Sequence, residues 1–355
     1  LSPLAPVFEK IDQLENDDQL IQLSAELRKY GISSLFGLYI GQDDKASDQY
    51  ITHIYQSGLG LPDQAYYLKE DEKSKEIQLA YIEHIGKMLG HANVEDPEGS
   101  AHKIYSIEKS LAEVSMTRVE RRDPDKTYNK MTVSDLSKIS PNINWLSYIS
   151  TIGLENVEKL IVSQPIFMTG VSELIKTVSI EEWKLYMKWS ALNSYASSLS
   201  SDFVNQNFDF YSKTLSGTKE MKPRWKRALG KVNGGIGELL GKAFVERHFT
   251  EASKEELARM VENLRTVFRT RINGLTWMSE ETKTKALQKL DAFNMKIGYP
   301  DKWKDYSSLT IVADNAVQNQ MNANQFRFNE MINKLGKPVD KDEWFMTPQT
   351  VNAYY

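Results

Sequence analysis

Ser179-Ile-Glu-Glu-Trp-Lys-Leu-Tyr-Met-Lys-Trp-Ser-Ala-Leu-Asn-Ser-Tyr195 decides the structural class of this chain. Its first four residues fit a capping box, in which the serine and the glutamate three positions on satisfy each other's open backbone N–H groups. The helix that follows carries Trp183, Tyr186, Met187, Trp189, Leu192 and Tyr195. Those side chains cover most of its circumference, and a helix that is apolar nearly all round belongs in a core. A buried helix needs other helices around it, and the flanking sequence offers them.

Upstream, Phe8, Ile11, Leu14, Leu20, Leu23 and Leu27 recur at helical spacing, as do Ile77, Ala80, Tyr81, His84, Ile85 and Met88 from Glu72 onward. Asp96-Pro97-Glu98 is a helix start: an N-cap, a proline in the first turn and an acid near the positive end of the dipole. That helix is expected to run through Ile104, Ile107, Leu111 and Val114 towards Arg118. Downstream, Ser253-Lys-Glu-Glu256 reads as a second capping box. It opens the clearest amphipathic segment, with Leu257, Met260, Val261, Leu264, Val267, Phe268, Ile272 and Leu275 on one stripe. A further helix runs from Ser279 through Leu287, Leu290 and Phe293, ending before Ile297-Gly-Tyr-Pro300.

Between Trp225 and Phe244 the pattern is unusual. Trp225, Ala228, Val232, Ile236, Leu239, Leu240 and Ala243 share one helical face, and Gly230, Gly234, Gly237 and Gly241 line the opposite one. Each glycine costs about 1 kcal/mol relative to alanine inside a helix. The stripe therefore either admits a second backbone at close range or a cavity beside it, or its glycines break the helix in two.

Strands are few. Ser34-Leu-Phe-Gly-Leu-Tyr-Ile-Gly41 and Gln49-Tyr-Ile-Thr-His-Ile-Tyr-Gln56 are expected to pair as a two-stranded ribbon, followed by a tight turn at Gly58-Leu-Gly-Leu-Pro-Asp63. Gln64-Ala-Tyr-Tyr-Leu68 follows as a short helix or aromatic plug, and Tyr128-Asn-Lys-Met131 reads as loop. At the far end, Pro348 disfavours helix for Thr347, and Thr350-Val-Asn-Ala-Tyr-Tyr355 is β-branched and aromatic, so a terminal strand is expected. An open strand edge is able to bind an extended peptide; it is also what an ordinary structural strand looks like.

The totals exclude several classes. A formal charge of −4 argues against nucleic acid or an anionic membrane surface as main partner, and no apolar run approaches a membrane span. Cysteine is absent, which removes disulfides, thiol nucleophiles and cysteine metal sites but suits either redox compartment. Leu1 in place of an initiator methionine points to residues removed ahead of it, a signal peptide or anchor among the options.

Catalytic signatures are missing. The five histidines, His53, His84, His91, His102 and His248, form no His-Glu-x-x-His. His84 and His91 are read as surface or core-edge residues. Neither Gly58-Leu-Gly-Leu-Pro62 nor Asn233-Gly-Gly-Ile-Gly-Glu238 has the context of a phosphate or dinucleotide loop. Acidic pairs such as Glu181/Glu182, Glu255/Glu256 and Glu280/Glu281 sit at helix starts, where the dipole explains them.

Gly58-Leu-Gly-Leu-Pro-Asp63 with Tyr66-Tyr-Leu68, Lys222-Pro-Arg-Trp-Lys-Arg227, Leu275-Thr-Trp-Met278 with Thr282-Lys283, Ile297-Gly-Tyr-Pro-Asp-Lys-Trp303, Asp340-Lys-Asp-Glu-Trp344 and Val351-Asn-Ala-Tyr-Tyr355 strongly resemble the neprilysin/endothelin-converting-enzyme family of zinc metalloendopeptidases, bacterial type. Each motif alone is weak; all of them in family order are specific.

The resemblance implies two largely helical lobes around a cavity, with zinc held by a His-Glu-x-x-His helix and a downstream glutamate. In that chemistry the motif's glutamate acts as general base on the zinc-bound water. Those elements lie beyond Asn-Ala-Tyr-Tyr in the family, so the chain is expected to lack the zinc-binding C-terminal part and the extreme N-terminus. The implied fold is mainly α: a large multi-helix lobe with a few short strands, and a terminal strand leading into a zincin-like catalytic lobe. Residues 1–335 are then the mostly helical second lobe and residues 336–355 the start of the catalytic lobe.

Asn352 and Ala353 match the edge-strand residues that bind the substrate backbone in the family, and the Asn352 amide offers the donor and acceptor a peptide unit needs. Tyr354 and Tyr355 are assigned to strand packing. The glycine stripe is placed where the helical lobe borders the cavity. The implied function is zinc-dependent cleavage of small to medium peptides by the full-length protein. This chain alone is then inactive, with no catalytic residues and no zinc of its own. Its partners are peptide substrates and the C-terminal catalytic part, in the same or a separate chain. The implied location is the bacterial cell envelope, periplasmic or secreted, with a lipid anchor as one option. The competing reading is a non-catalytic helical module that binds peptides or a partner.

Overall fold

The computed structural model describes residues 1–354. The chain is mainly helical with one small sheet, as expected, and divides into two compact units. The first comprises Leu1–Pro223 and Leu309–Val339; the second comprises Arg224–Ser308 together with the residues from Asp340 onward.

The first unit begins with α1 (Ala5–Asp12) and α2 (Asp17–Arg28), then β1 (Phe36–Asp43) and β2 (Ala46–Gln56). After α3 (Ala65–Leu68) come the long α4 (Glu72–His91) and α5 (Pro97–Glu113). A connecting stretch holds α6 (Pro124–Thr127), β3 (Lys130–Thr132), α7 (Val133–Ile139), α8 (Trp145–Thr151) and β4 (Lys159–Val162). It leads to α9 (Pro165–Thr177), α10 (Ile180–Tyr195) and α11 (Ser201–Asn207), which continues into a π-helical turn over Phe208–Thr214.

The helix that follows Ser179 lies within the core of this unit. In α10, Trp183, Tyr186, Met187, Trp189, Leu192 and Tyr195 are all buried, within one continuous hydrophobic core. Its capping box is made: the Ser179 hydroxyl accepts from the Glu182 amide, and the Glu182 carboxylate accepts from the Ser179 amide and hydroxyl. Ser179→Ala is expected to lower stability by about 1 kcal/mol, read as a shift in the urea midpoint at constant slope. An unchanged midpoint would count against the cap. Asp96 caps α5 through the Gly99 amide with Pro97 in the first turn, but α5 ends at Glu113, short of Arg118.

The ribbon is part of something larger. β1 and β2 pair antiparallel with Tyr39 opposite His53, and the sheet continues in the order β1-β2-β4-β3. β4 runs parallel to β2, with Thr52 opposite Leu160, and β3 pairs antiparallel to β4. Residues 130–132, the first two of them expected as loop, are therefore a strand. A three-residue strand carries too little periodicity to be read alone; it exists because β4 offers it a ladder.

The second unit contains α12 (Arg224–His248), α13 (Glu251–Asn273) and α14 (Glu280–Asp291); α15 (Ala316–Ile332) returns to the first unit. The second capping box is not where the spacing puts it. α13 starts earlier, with Thr250 as N-cap accepting from the Ser253 amide, so Ser253 is already inside the first turn. Thr250 is followed by Glu251, which favours the dipole equally well, so propensity does not separate the two starts. Ser279 does cap α14 through the Thr282 amide. No helix among the described residues is long and apolar enough to cross a membrane.

Candidate functional site

The segment carrying Asn352 and Ala353 lies in the second unit, together with α12. That helix is interrupted at Ile236, whose φ of −129° and ψ of 41° are not helical. Both readings of the glycine stripe thus contain part of the answer. The helix is kinked amid its glycines, and two of them lie close under side chains of a segment distant in sequence. Gly237 and Gly241 are the buried residues of α12, whereas Trp225, Leu229, Val232 and Leu239 are exposed.

What covers these glycines is the chain's own residues 347–349. A Cβ on Gly237 would stand 2.9 Å from Thr347 Cγ2, and one on Gly241 would stand 2.6 Å from Pro348 Cδ and 2.8 Å from Gln349 Oε1. The Gln349 side-chain amide donates to the Gly237 carbonyl at 2.9 Å and to Asn233 Oδ1. Gly230 and Gly234 face open space, with nothing within 4 Å of a Cβ built on either.

Beyond Gln349 the expected strand is not formed. The Thr350 amide donates back to the Thr347 carbonyl at 2.9 Å, which closes a turn, and residues 351–354 join no ladder. A strand is defined by its neighbour, and β-propensity in the absence of a partner strand does not make one. Val351 is fully exposed, and Asn352 Oδ1 accepts from the Ala353 amide at 2.8 Å. Tyr354 is not packed in a strand: its ring meets Phe345 edge-on at 5.8 Å. Tyr355 lies outside the described residues.

Neighbouring motifs build the ground on which this segment stands. Lys254 Nζ reaches the Tyr299 carbonyl at 2.9 Å and Asp301 at 2.7 Å, and lies 4.2 Å from the Tyr299 ring centre. Tyr299 stacks on Trp303, and Gly298, at φ 72°, sits against the Phe249 ring where a side chain would collide. The Asn294 side-chain amide donates to the Lys341 carbonyl at 2.8 Å and to Asp342 Oδ1 at 3.2 Å, fixing the stretch that leads towards residue 346.

In the first unit, the Gly58–Leu68 motif is anchored by a buried carboxylate that no sequence motif marks. Glu108 Oε2 accepts from the Tyr67 hydroxyl at 2.6 Å and the Tyr81 hydroxyl at 2.8 Å, while Oε1 accepts from Trp189 Nε1 at 3.1 Å. The Tyr67 hydroxyl in turn accepts from the Gly60 and Leu61 amides, and Tyr211 donates to the Gly60 carbonyl. A Cβ on Gly60 would fall 1.8 Å from the Tyr81 oxygen, so only glycine fits the turn. Burial pushes the Glu108 carboxyl up to about 7, against the hydrogen bonds of Tyr67, Tyr81, Gly60 and Trp189. A signal does exist: position 108 lies one turn from Ile104 and Leu111 on the inward side of α5, and a charge there needs partners.

His84 shares the same aromatic wall. It is fully buried rather than at a surface or core edge, stacked on Phe210 at 4.8 Å and edge-on to Trp189 at 5.5 Å. Its Nδ1 pairs with the Gln206 amide at 3.1 Å, and burial, aided by Lys87, depresses its pKa to about 3. A second buried carboxylate, Asp43, ties β1 to β3. Burial opposes its charge, yet Lys130, the Lys45 amide and the Tyr128 hydroxyl hold its pKa down to about 2.

No three His, Asp or Glu side chains among the described residues stand together as a metal-binding group. The described residues therefore do not fit a zinc site.

Residues 1–300 match the profile of peptidase family M13. The chain belongs to that family. Among curated M13-like relatives, endothelin-converting enzyme 1 of Cavia porcellus is 31% identical over 339 residues, covering 92% of this chain and 45% of the relative. Neprilysin-3 of Drosophila melanogaster is 30% identical over 348 residues, covering 92% and 44%. The zinc metalloprotease Zmp1 of Mycobacterium tuberculosis, solved with an inhibitor, superimposes with a TM-score of 0.93 at 35% identity, over all of this chain and 54% of its own. PepO from Lactobacillus rhamnosis shares the fold, with a TM-score of 0.87 at 20% identity. This M13 chain spans about half the length of the relatives it matches.

Proposed function

We propose that this chain is part of a zinc-dependent endopeptidase that cleaves small to medium peptides, contributing the helical lobe and a peptide-binding segment. The observation that carries the reading is membership of peptidase family M13 over most of the chain, with relatives about twice as long. Residues 1–335 are assigned to the helical lobe and residues 336–355 to the opening of the catalytic lobe, although the compact units group residues 224–308 with the residues from Asp340 onward. The zinc ligands and the general base are assigned to the part of the enzyme outside these residues, in the same or a separate chain. The 355-residue chain alone is then inactive. The cell envelope of a bacterium is proposed as its location.

Asn352 and Ala353 are proposed to bind the substrate backbone. The exposure of residues 351–354 and their lack of ladder partners support this, because an unpaired segment is open to pairing with an incoming peptide. Asn352→Ala in the full-length enzyme is expected to lower kcat/KM by roughly 30-fold, about 2 kcal/mol for two lost hydrogen bonds, at an unchanged melting temperature. Unchanged kcat/KM would remove Asn352 from the substrate site.

Zinc analysis and a fluorogenic peptide assay test the whole reading. The full-length protein is expected to hold zinc stoichiometrically and cleave the peptide; the 355-residue chain is expected to do neither. Tight stoichiometric zinc on the 355-residue chain would overturn the assignment of ligands. A full-length product without zinc or cleavage would leave a non-catalytic binding module.

A further inference from the structure

We propose that Gly237, Gly241 and Gln349 are positioning residues for peptide binding: together they fix the path of the chain into Asn352 and Ala353. The inference rests on the substrate role proposed for those two residues. Residues 351–354 have no strand to hold them, so their placement depends on what grips the chain just before them. That grip is the face of α12 made of Gly237 and Gly241, where Thr347, Pro348 and Gln349 lie too close for any side chain to intervene.

The parts act differently. Pro348 is a rigid ring, so a methyl on Gly241 at 2.6 Å from its Cδ cannot be avoided by rotation; the segment itself must move. At Gly237 the neighbour is the Thr347 methyl at 2.9 Å. Gln349 locks the register, because its side-chain amide holds the Gly237 carbonyl and the Asn233 side chain together. The non-helical turn at Ile236 lies immediately before this contact, between the open and the covered glycines. A displacement on the order of 1 Å in a binding segment costs up to roughly a hundredfold in turnover, which is ample reason to retain glycines that weaken the helix.

Peptide cleavage by the full-length enzyme distinguishes positioning from mere stability. Gly241→Ala and Gln349→Leu are expected to raise KM about tenfold while kcat and zinc content stay within about twofold of wild type. Gly230→Ala, a methyl in open space, is expected to leave KM unchanged. Asn352→Ala is measured in parallel. If Asn352→Ala lowers kcat/KM but Gly241→Ala and Gln349→Leu both keep the wild-type KM, the positioning role is wrong and the substrate role of Asn352 stands. A lower melting temperature with wild-type KM in those two variants equally refutes positioning, since a purely structural contact would act that way. If Asn352→Ala is silent, the substrate role falls and the positioning role falls with it. Should Gly241→Ala fail to fold, Gln349→Leu, of similar volume and off the helix, decides alone.

Discussion

Glu108→Ala is expected to cost the first unit about 4 kcal/mol, the largest loss from any single change outside the apolar core. Three buried donors converge on that carboxylate: the hydroxyls of Tyr67 and Tyr81 and the indole nitrogen of Trp189. Without it they face a void in an apolar wall, and each orphaned buried donor carries a penalty of about 1–3 kcal/mol. Trp189 retains a contact with the Tyr81 hydroxyl at 3.2 Å, which keeps the sum below three full penalties. The loss extends to the Gly58–Leu68 turn, whose Gly60 and Leu61 amides donate to the Tyr67 hydroxyl that Glu108 holds in place. Urea denaturation followed by tryptophan fluorescence measures this directly. A loss below about 1 kcal/mol would mean that water or repacked neighbours replace the carboxylate.

The same cluster makes two opposing contributions to the pH dependence of stability. Glu108 has its pKa raised from 4.5 to about 7, so the folded state holds a proton that the unfolded state releases. Its contribution is complete below pH 4.5 and is lost as pH rises through 7. His84 has its pKa lowered from 6.5 to about 3, so the unfolded state takes up a proton that the folded state refuses. Its contribution is complete above pH 6.5 and is lost as pH falls towards 3. Between pH 4.5 and 6.5 the two slopes are opposite and cancel.

Removing either partner exposes the other. Through these two groups, Glu108→Gln is expected to lose about 2 kcal/mol on acidification from pH 6.5 to 4.5, and His84→Phe to gain about as much over the same interval. Wild type is expected to fall between the two variants, with His53, whose pKa burial also lowers, adding its own loss on acidification. Urea midpoints at half-unit pH steps provide the test, and parallel profiles for all three proteins would sink the compensation. Asp43 does not blur the result, because its contribution is lost only as pH falls from 3.8 towards 2.

Much of the local chemistry was legible from chain neighbours, although the α13 start expected at Ser253 lies at Thr250 and α5 ends before Arg118. The Ser179 and Asp96 caps, the start of α14 at Ser279, the buried face of α10 and the β1–β2 pair all follow from spacing and propensity. The glycine stripe announced that something comes close to α12, because glycines that weaken a helix need a reason. The motifs spread from Gly58 to Tyr355 identified the family, since order along a chain survives where single motifs are ambiguous.

Tertiary structure decided everything that depends on a distant partner. The stripe could not say that Thr347, Pro348 and Gln349 are its occupants, far away in sequence, nor that only Gly237 and Gly241 are covered. β-propensity at residues 350–354 described a segment able to pair, but pairing needs a neighbour, and none forms there. β3 and β4 became strands for the opposite reason: a neighbour was present. Glu108 and His84 were ordinary helix residues until folding closed Tyr81, Trp189 and Phe210 around them, and burial then gave them pKa values no sequence pattern encodes. Spacing along the chain fixes which faces are available; three-dimensional packing alone determines what each face meets.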